Sequence, residues 1–300
     1  MSAGLDIRPM RSVDGGSGGC PGCSCRGAAG LASGEYIVIG RDTRWRVHHT
    51  TRAPFRFICN LAVDRFGSMG TGTLVGPRTV LTAGHCIHDN AGRLLAPRTM
   101  RVVPGRNGPS EPLAATRAVR FLPFPGYRPT TQTDLGLIHL ANPIGTTVGW
   151  WGRAWGPTAA DRIGTSVAGL LPMVGGTLRV SLSGYPADLP ATPALGCRVP
   201  GGGPCAYSSP GSARRDIVRC GTEQWQSRNV TVSLAVPGML VYVNDTCPGH
   251  SGSPVWVTRP PASGGRVLVG VHVAASPDRR SNRAVRLRPA VLRWIRANTL

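Results

Sequence analysis

The chain has 300 residues, of which 41% are hydrophobic, so a sizeable core is possible and global disorder is excluded. Its 41 glycines and 27 prolines disfavour long helices and favour short strands joined by tight turns. The 34 basic residues, all arginine, outnumber the 14 acidic ones and give a net charge of +20, which would attract acidic partners. No apolar run has the ~18 residues of a membrane span.

Residues 1–35 are rich in glycine and serine and have almost no large apolar side chains. Such a segment cannot bury enough surface to fold alone, so we predict a disordered leader or pro-segment. Within it, Cys20, Cys23 and Cys25 have a spacing that is compatible with metal binding. Tetrahedral zinc needs four ligands, and no fourth cysteine or histidine is near, so we predict no metal site.

From Tyr36 onward, short β-rich runs recur, and their spacing favours an all-β barrel or sandwich. Strands are predicted in residues 36–155 at 55–63, 72–75, 79–82, 99–103 and 135–140, and in residues 156–300 at 178–183, 230–236, 240–243, 254–257 and 267–273. Residues 191–211 are rich in proline and glycine and predict a loop insertion. One helix is predicted over 289–298, because Pro289 suits a first helical turn and apolar residues follow at helical spacing.

Three short motifs contain residues that could carry out catalysis together. They are His85 in Leu-Thr-Ala-Gly-His-Cys, Asp134 in Thr-Asp-Leu-Gly and Ser251 in Pro-Gly-His-Ser-Gly-Ser-Pro. A serine hydroxyl is a weak nucleophile that needs a base, and an imidazole base needs an acid that fixes its tautomer. The order His, Asp, Ser along the chain is that of the chymotrypsin fold, so we interpret the three residues as a catalytic triad.

The residues around the serine also indicate how an oxyanion would be bound. The amides of Gly249 and Ser251 are the expected donors, since a glycine two residues before the nucleophile allows the sharp turn that this geometry needs. An α/β-hydrolase would instead need glycine two residues after the nucleophile, where Ser253 stands. The sequence therefore favours the chymotrypsin arrangement.

Residues 37–300 resemble the glutamyl endopeptidases, bacterial serine proteases of the chymotrypsin fold. The matching segments are Val38 to Arg44, Gly70 to His88, Thr133 to Leu140, Ser183 to Pro186, Asp245 to Val257, Val269 to His272 and Asn282 to Leu287. The resemblance implies two six-stranded antiparallel β-barrels with the active site in the cleft between them. It also implies a serine endopeptidase that acts on proteins or peptides and needs no metal or cofactor.

Substrate choice follows from the same resemblance. His272 matches a histidine that contacts the substrate carboxylate in this family, and the hydroxyl of Thr246 could donate alongside it. These residues imply cleavage after Glu, and also after Asp. Because only three of the acidic residues are glutamates, the composition agrees with a protease that gains from exposing few of its own sites.

Two alternatives stay open. In the first, His250 or the 191–211 insertion reshapes the pocket, and the protease recognises another side chain. In the second, the protein is not catalytic and its positive charge binds nucleic acid or other polyanions. No recognised nucleic-acid module is present, so we expect no specific nucleic acid partner. We also expect a monomer that does not associate with a membrane.

Nine cysteines indicate oxidative folding and therefore secretion, although residues 1–30 contain no apolar stretch of signal-peptide type. In the family, a cysteine placed like Cys86 has its partner on the preceding strand, which here carries Gly70 and Thr71. Cys59 is the nearest alternative partner. The other expected pairs are Cys197 with Cys205 and Cys220 with Cys247.

Maturation is also expected to follow this family. Relatives that activate by an N-terminal salt bridge use an acid immediately before the nucleophile, and His250 stands there instead. In glutamyl endopeptidases the mature amino terminus helps to bind the acidic side chain, which implies a zymogen whose leader is removed between Ser33 and Ile39. Cleavage after Glu35 by the enzyme itself is our hypothesis.

Overall fold

The computed structural model describes residues 39, 42–64, 67–152, 161–163, 178–187, 221–233, 238–258, 265–277 and 280–300. The predicted leader, the 191–211 insertion, and Cys197, Cys205 and Cys220 lie outside these residues. The strands are β1 (Trp45–Arg46), β2 (Ile58–Val63), β3 (Gly67–Gly76), β4 (Thr79–Thr82), β5 (Met100–Pro104), β6 (Thr116–Pro123), β7 (Gly136–Leu140), β8 (Asp161–Ile163), β9 (Leu178–Gly184), β10 (Trp225–Ser233), β11 (Met239–Tyr242), β12 (Pro254–Thr258), β13 (Arg266–Ala275) and β14 (Asn282–Arg286).

The helices are short. Among the described residues they are α1 (Gly145–Val148), α2 (Pro289–Ala297) and three 3₁₀ turns at Phe55–Phe57, Gly84–Ile87 and Pro97–Thr99. In the described part of the chain, no helix is long and apolar enough to cross a membrane. Helix α2 confirms the predicted C-terminal helix and buries Val291, Leu292 and Ile295. Its Trp294 makes an edge contact with Phe124, at 5.0 Å between ring centroids, so the helix packs on the loop after β6.

The first half of the chain forms a closed barrel with the strand order β2-β3-β4-β7-β6-β5. Its interior is apolar, because side chains such as Leu61, Leu74, Leu81 and Leu137 point inward and are fully buried. Sequence analysis predicted the other strands of this barrel but missed β6. That strand presents Arg117, Val119 and Arg120 to solvent, so it lacks a continuous apolar run, and a bulge between Ala118 and Arg120 interrupts its alternation.

The second half forms an eight-stranded sheet. Six of its strands are hydrogen-bonded neighbours in the order β10-β11-β14-β13-β12-β9. Strand β10 also pairs with β9, so these six strands make a closed circuit of pairings. The remaining two strands lie outside the circuit, with β1 on β10 and the short parallel β8 on β13. The expectation of an all-β fold with two six-stranded barrels and a C-terminal helix is confirmed.

The suggested pairing of Cys86 with Cys59 is wrong, because both residues are buried free thiols. Cys59 pairs across the sheet with Gly72 and its thiol faces the carbonyl oxygen of Phe57, at 3.6 Å. Cys86 instead faces Gly70, which lies on β3 two residues before Gly72. Burial raises the pKa of the Cys59 thiol, so this thiol stays protonated and unreactive.

Substituting Gly70→Cys should create a disulfide with Cys86. A Cβ atom built on Gly70 lies 3.8 Å from Cys86 Cβ and 2.9 Å from its Sγ, and ~3.8 Å is the mean Cβ–Cβ separation in disulfides. The bridge closes a loop of about 15 residues, so we expect ~3 kcal/mol of added stability. Denaturant unfolding with and without reductant, together with a thiol count, measures both effects.

Gly70→Ser is the matched control, since it adds a side chain of similar size that cannot form the bridge. An unchanged thiol count in oxidised Gly70→Cys protein, or equal stability of the two variants without reductant, would contradict this prediction.

Candidate active site

The sequence places His85 in the 3₁₀ turn that follows β4, directly after Gly84. Gly84 is needed at this point because a Cβ there would lie 2.5 Å from the ring of Tyr127 and 3.0 Å from the carbonyl oxygen of Leu135. The absence of a side chain lets the turn pack closely against the start of β7. The imidazole of His85 therefore projects from a tightly packed segment and keeps only 12% of its side-chain surface exposed.

Asp134 lies immediately before β7 and is fully buried. Its carboxylate accepts three hydrogen bonds, from the His85 amide (2.9 Å), from His85 Nδ1 (2.8 Å) and from the Thr130 amide (2.7 Å). Thr130 has a φ of 60°, an unfavourable conformation for a β-branched residue, and it is the one non-glycine residue with positive φ in the described ranges. These donors compensate the burial of the charge and fix the orientation of the imidazole.

Ser251 lies on the far side of the imidazole, in the loop before β12. Its Oγ is 2.6 Å from His85 Nε2. With Nδ1–H donating to Asp134, Nε2 is the nitrogen that can accept the serine proton. The structure thus brings the three predicted residues into one continuous chain of hydrogen bonds, although His85 and Asp134 belong to the first barrel and Ser251 to the second.

Two consecutive turns shape the chain around Ser251. In the first, the His250 amide donates to the Cys247 carbonyl oxygen at 3.0 Å, with Pro248 second and Gly249 third at a φ of +96°. Proline second and a positive-φ glycine third are typical of a type II turn. In the next turn the Ser253 amide donates to the His250 carbonyl oxygen at 2.9 Å, which places Ser251 at its second position.

The geometry of the first turn orients the Gly249 amide. The Pro248 carbonyl oxygen accepts a hydrogen bond from the Ala187 amide at 2.7 Å. Because the peptide bond is trans, the Gly249 N–H points away from that segment. A Cβ on Gly249 would collide with the Tyr185 carbonyl oxygen, so only glycine fits at this position. Among the described residues the Gly249 amide has no hydrogen-bond acceptor, which leaves it available to a substrate oxygen.

Sequence analysis missed Thr71, which joins the serine loop to the first barrel. Its amide donates to the Ser251 carbonyl oxygen at 2.8 Å, and its hydroxyl donates to the Gly249 carbonyl oxygen at 2.7 Å. The same hydroxyl accepts from the Tyr185 amide at 3.0 Å. A single threonine in a strand carries no sequence signal for this role, since its partners lie far away along the chain.

The two predicted specificity residues are both fully buried next to this loop. Thr246 precedes Ser251 by five residues, and within the described residues its Oγ1 has no hydrogen-bond partner. His272 on β13 is bonded to the loop through its backbone, since its carbonyl oxygen accepts from the Gly252 amide (2.8 Å) and its amide donates to the Ser253 carbonyl oxygen (2.9 Å).

The ring of His272 has a partner that sequence analysis did not identify. Tyr242 Oη lies 2.6 Å from His272 Nδ1. Burial lowers the pKa of His272 to about 3, and the charge of His85 acts in the same direction. His272 is therefore neutral at neutral pH. The Tyr242 hydroxyl can donate to Nδ1, and in that tautomer the proton of the neutral imidazole is on Nε2.

Asp245, which precedes Thr246, was also missed as a functional residue. It is 2% exposed, and its carboxylate accepts hydrogen bonds from the Ile39 amide (2.8 Å), the Thr43 amide (2.7 Å) and the Thr43 hydroxyl (2.7 Å). Asp245 thereby attaches the amino-terminal segment of the described chain beside the predicted pocket. Its position inside a matching motif was the only sequence signal.

No group of three or more histidine, cysteine, aspartate or glutamate side chains is placed to hold a metal ion in the part of the chain that the structure describes. The arrangement around Ser251 can support nucleophilic chemistry. It combines an activated hydroxyl, a base oriented by a buried carboxylate, and amide donors beside them.

Comparison with known proteins agrees with this geometry. The trypsin family model matches residues 45–295. The chain is 35% identical over 220 residues to a glutamyl endopeptidase of Bacillus licheniformis, a match that covers 73% of this chain and 54% of that protein. It is 34% identical over 139 residues to a protein of Bacillus subtilis strain 168 named extracellular metalloprotease, with 44% of each chain covered.

A solved structure described as a Glu endopeptidase in complex with MPD is similar in fold, with a TM-score of 0.61 and 24% identity, over 87% of this chain and 98% of that one. The chain spans about half the length of the curated relatives it matches. The resemblance to glutamyl endopeptidases that the motifs indicated is confirmed. Since the family model extends over most of the sequence and both barrels are present, the chain belongs to the trypsin family.

Proposed function

We propose that the protein is a serine endopeptidase in which Ser251 is the nucleophile, His85 the general base and Asp134 the residue that orients it. The observation that carries this proposal is the unbroken hydrogen-bond chain from Asp134 through His85 to Ser251. Each group has the partner that its role requires. The carboxylate is buried and bonded to Nδ1, and Nε2 is within reach of the hydroxyl.

In the first half-reaction, Ser251 Oγ attacks the carbonyl carbon of the scissile peptide bond while His85 Nε2 takes its proton. The tetrahedral intermediate carries an oxyanion, to which the amides of Gly249 and Ser251 donate. His85 then gives the proton to the leaving amine, and an acyl-enzyme remains. A water molecule, deprotonated by His85, attacks the ester carbonyl, and collapse of that intermediate returns the proton to Ser251 and releases the acid product.

The pocket beside Ser251 suits a substrate carboxylate. A buried hydroxyl without a partner is costly, so the Thr246 hydroxyl is explained if a ligand accepts its hydrogen bond. The Nε2–H of neutral His272 supplies a second donor, held in the required tautomer by Tyr242. Two neutral donors stabilise a buried carboxylate without adding a charge to the pocket. We therefore propose cleavage after Glu, and also after Asp.

The contacts of the described residues disfavour cleavage after Arg and a pocket reshaped by His250, whereas the 191–211 insertion lies outside these residues. Cleavage after Arg would need a free acid in the pocket, but the nearby Asp245 carboxylate is already bonded to three donors from Ile39 and Thr43. His250 does not reshape the pocket, because its ring is buried and bonded to the Cys247 amide. By analogy with the relatives, we propose that proteins or peptides outside the cell are the substrates and that the enzyme matures from a zymogen.

Asp134→Asn should lower kcat by ~10⁴ with little change in KM, because an amide does not hold the required tautomer of His85. The rate of hydrolysis of a peptide with Glu before the scissile bond measures this effect, and Ser251→Ala sets the background. Asp64→Asn is the matched control, since it removes an equal charge from a half-exposed ion pair with Arg117. A folded Asp134→Asn protein with near-normal kcat would contradict the proposed triad.

Digestion of a mixed peptide library, read by mass spectrometry, should show cuts after Glu. Thr246→Val should lower kcat/KM for a Glu substrate by ~10–100-fold, because a buried hydrogen bond to a charged group is lost. Thr246→Ser keeps the hydroxyl and should retain most of the activity. Cuts mainly after Arg or Phe, or equal activity of the two variants, would contradict the proposed pocket.

The preference for Glu over Gln should be constant between about pH 6 and pH 9. The folded pKa of His272, about 3, is below the ordinary value, so the imidazole is neutral over this whole range. The ratio of kcat/KM for matched Glu and Gln peptides measures this preference and cancels the titration of His85. A ratio that falls about tenfold per pH unit above ~6.5 would show instead that His272 binds the substrate in its charged form.

A further inference from the structure

His250, which stands where related proteases have an acid, makes two hydrogen bonds to the same residue. Its amide donates to the Cys247 carbonyl oxygen at 3.0 Å, and its ring Nδ1 accepts from the Cys247 amide at 3.1 Å. Both main-chain polar groups of Cys247 are therefore bonded to His250. Pro248 and Gly249 lie between the two residues, so the pair of bonds closes the turn that carries the Gly249 amide.

We propose that His250 is a positioning residue that holds the Gly249 amide in place as an oxyanion donor. This inference rests on the proposed function. The bond from the His250 amide to the Cys247 carbonyl oxygen is the usual hydrogen bond of such a turn. Many turns of this kind form without it, so this bond alone is a weak constraint. The side-chain bond adds a second attachment between the two ends of the turn, at Cys247 and His250. With the ends held, the bond from the Ala187 amide to the Pro248 carbonyl oxygen sets the direction of the peptide between Pro248 and Gly249.

The surroundings of His250 suit a neutral ring. Burial holds the pKa of His250 well below its usual range, and the charge of Arg44 acts in the same direction. The side chain of Arg44 is 1% exposed and makes an ion pair with Asp42 at 2.7 Å. A neutral imidazole whose Nδ1 accepts from an amide carries its proton on Nε2. The turn is therefore held by a neutral group rather than by an ion pair.

The space for the ring is provided by Gly184 at the end of β9. A Cβ at this position would lie 3.1 Å from His250 Cδ2 and 2.7 Å from the Thr71 hydroxyl oxygen, and it would collide with Ser253 Oγ. A larger residue at position 184 would collide first with the Ser253 and Thr71 hydroxyls and would also press on the imidazole. The buried site thus has room for a side chain as large as histidine.

A comparison of His250→Phe with His250→Asn tests the role. Phenylalanine keeps the ring but has no acceptor, so kcat for a Glu peptide should fall by ~10²–10³ with little change in KM, as for loss of one oxyanion donor. The Oδ1 of asparagine takes the position of Nδ1, so His250→Asn should retain kcat within ~10-fold. Unchanged kcat in a folded His250→Phe protein, or an equal fall in both variants, would overturn the proposal.

A spectroscopic measurement decides the question even if His250→Phe does not fold. In Ser251→Ala protein labelled with ¹⁵N-histidine, the imidazole nitrogen shifts should show His250 neutral and protonated on Nε2 at neutral pH. The Cys247 amide should exchange slowly with solvent. A proton on Nδ1, or a doubly protonated ring, would overturn the proposal. Because this measurement needs no catalysis, its result is independent of whether the proposed protease activity is found.

Discussion

The site depends on the attachment of a loop in one barrel to a strand of the other. Thr71 on β3 holds the serine loop by its amide and its hydroxyl, so Ser251 and Gly249 are fixed to the barrel that carries His85 and Asp134. Without this attachment the serine loop would lose its direct bonds to the strand of the first barrel. A displacement of about 1 Å is enough to lower catalysis ~10²-fold, so the rigidity of this junction is a functional requirement.

Around this junction the protein keeps its buried imidazoles neutral, although its net charge is +20. His250 and His272 are both fully buried, and burial lowers the pKa of each. Charged rings here would lie near each other and near His85, and would make the protonation of His85 during catalysis less favourable. Neutral rings can accept or donate a single directed hydrogen bond, which is the property that the turn and the pocket each use.

The same turn explains two departures from the usual motif of the family. Pro248 has a fixed φ that suits the second position of the turn, and it presents its carbonyl oxygen to the Ala187 amide. His250 replaces a charged or small residue and bonds to Cys247 from within the protein. Both residues make the loop stiffer without touching the nucleophile. The turn that carries Gly249 therefore accommodates both departures.

Sequence alone predicted the fold class, the C-terminal helix and the three residues of the proposed catalytic site, because a local pattern of residues indicates each of them. Apolar runs between turn residues mark buried strands, and His85, Asp134 and Ser251 stand in short motifs in a diagnostic order. Tertiary structure decided what depends on partners distant along the chain. The bond from Thr71 to Gly249 spans 178 positions, and the bond from Ile39 to Asp245 spans 206. Strand β6 was not predicted because its exposed arginines interrupt the apolar pattern. Only the register between β2 and β3 shows that Cys86 faces a glycine rather than Cys59. Such contacts leave no mark in a single sequence, since the energy of each depends on two residues that only folding brings together.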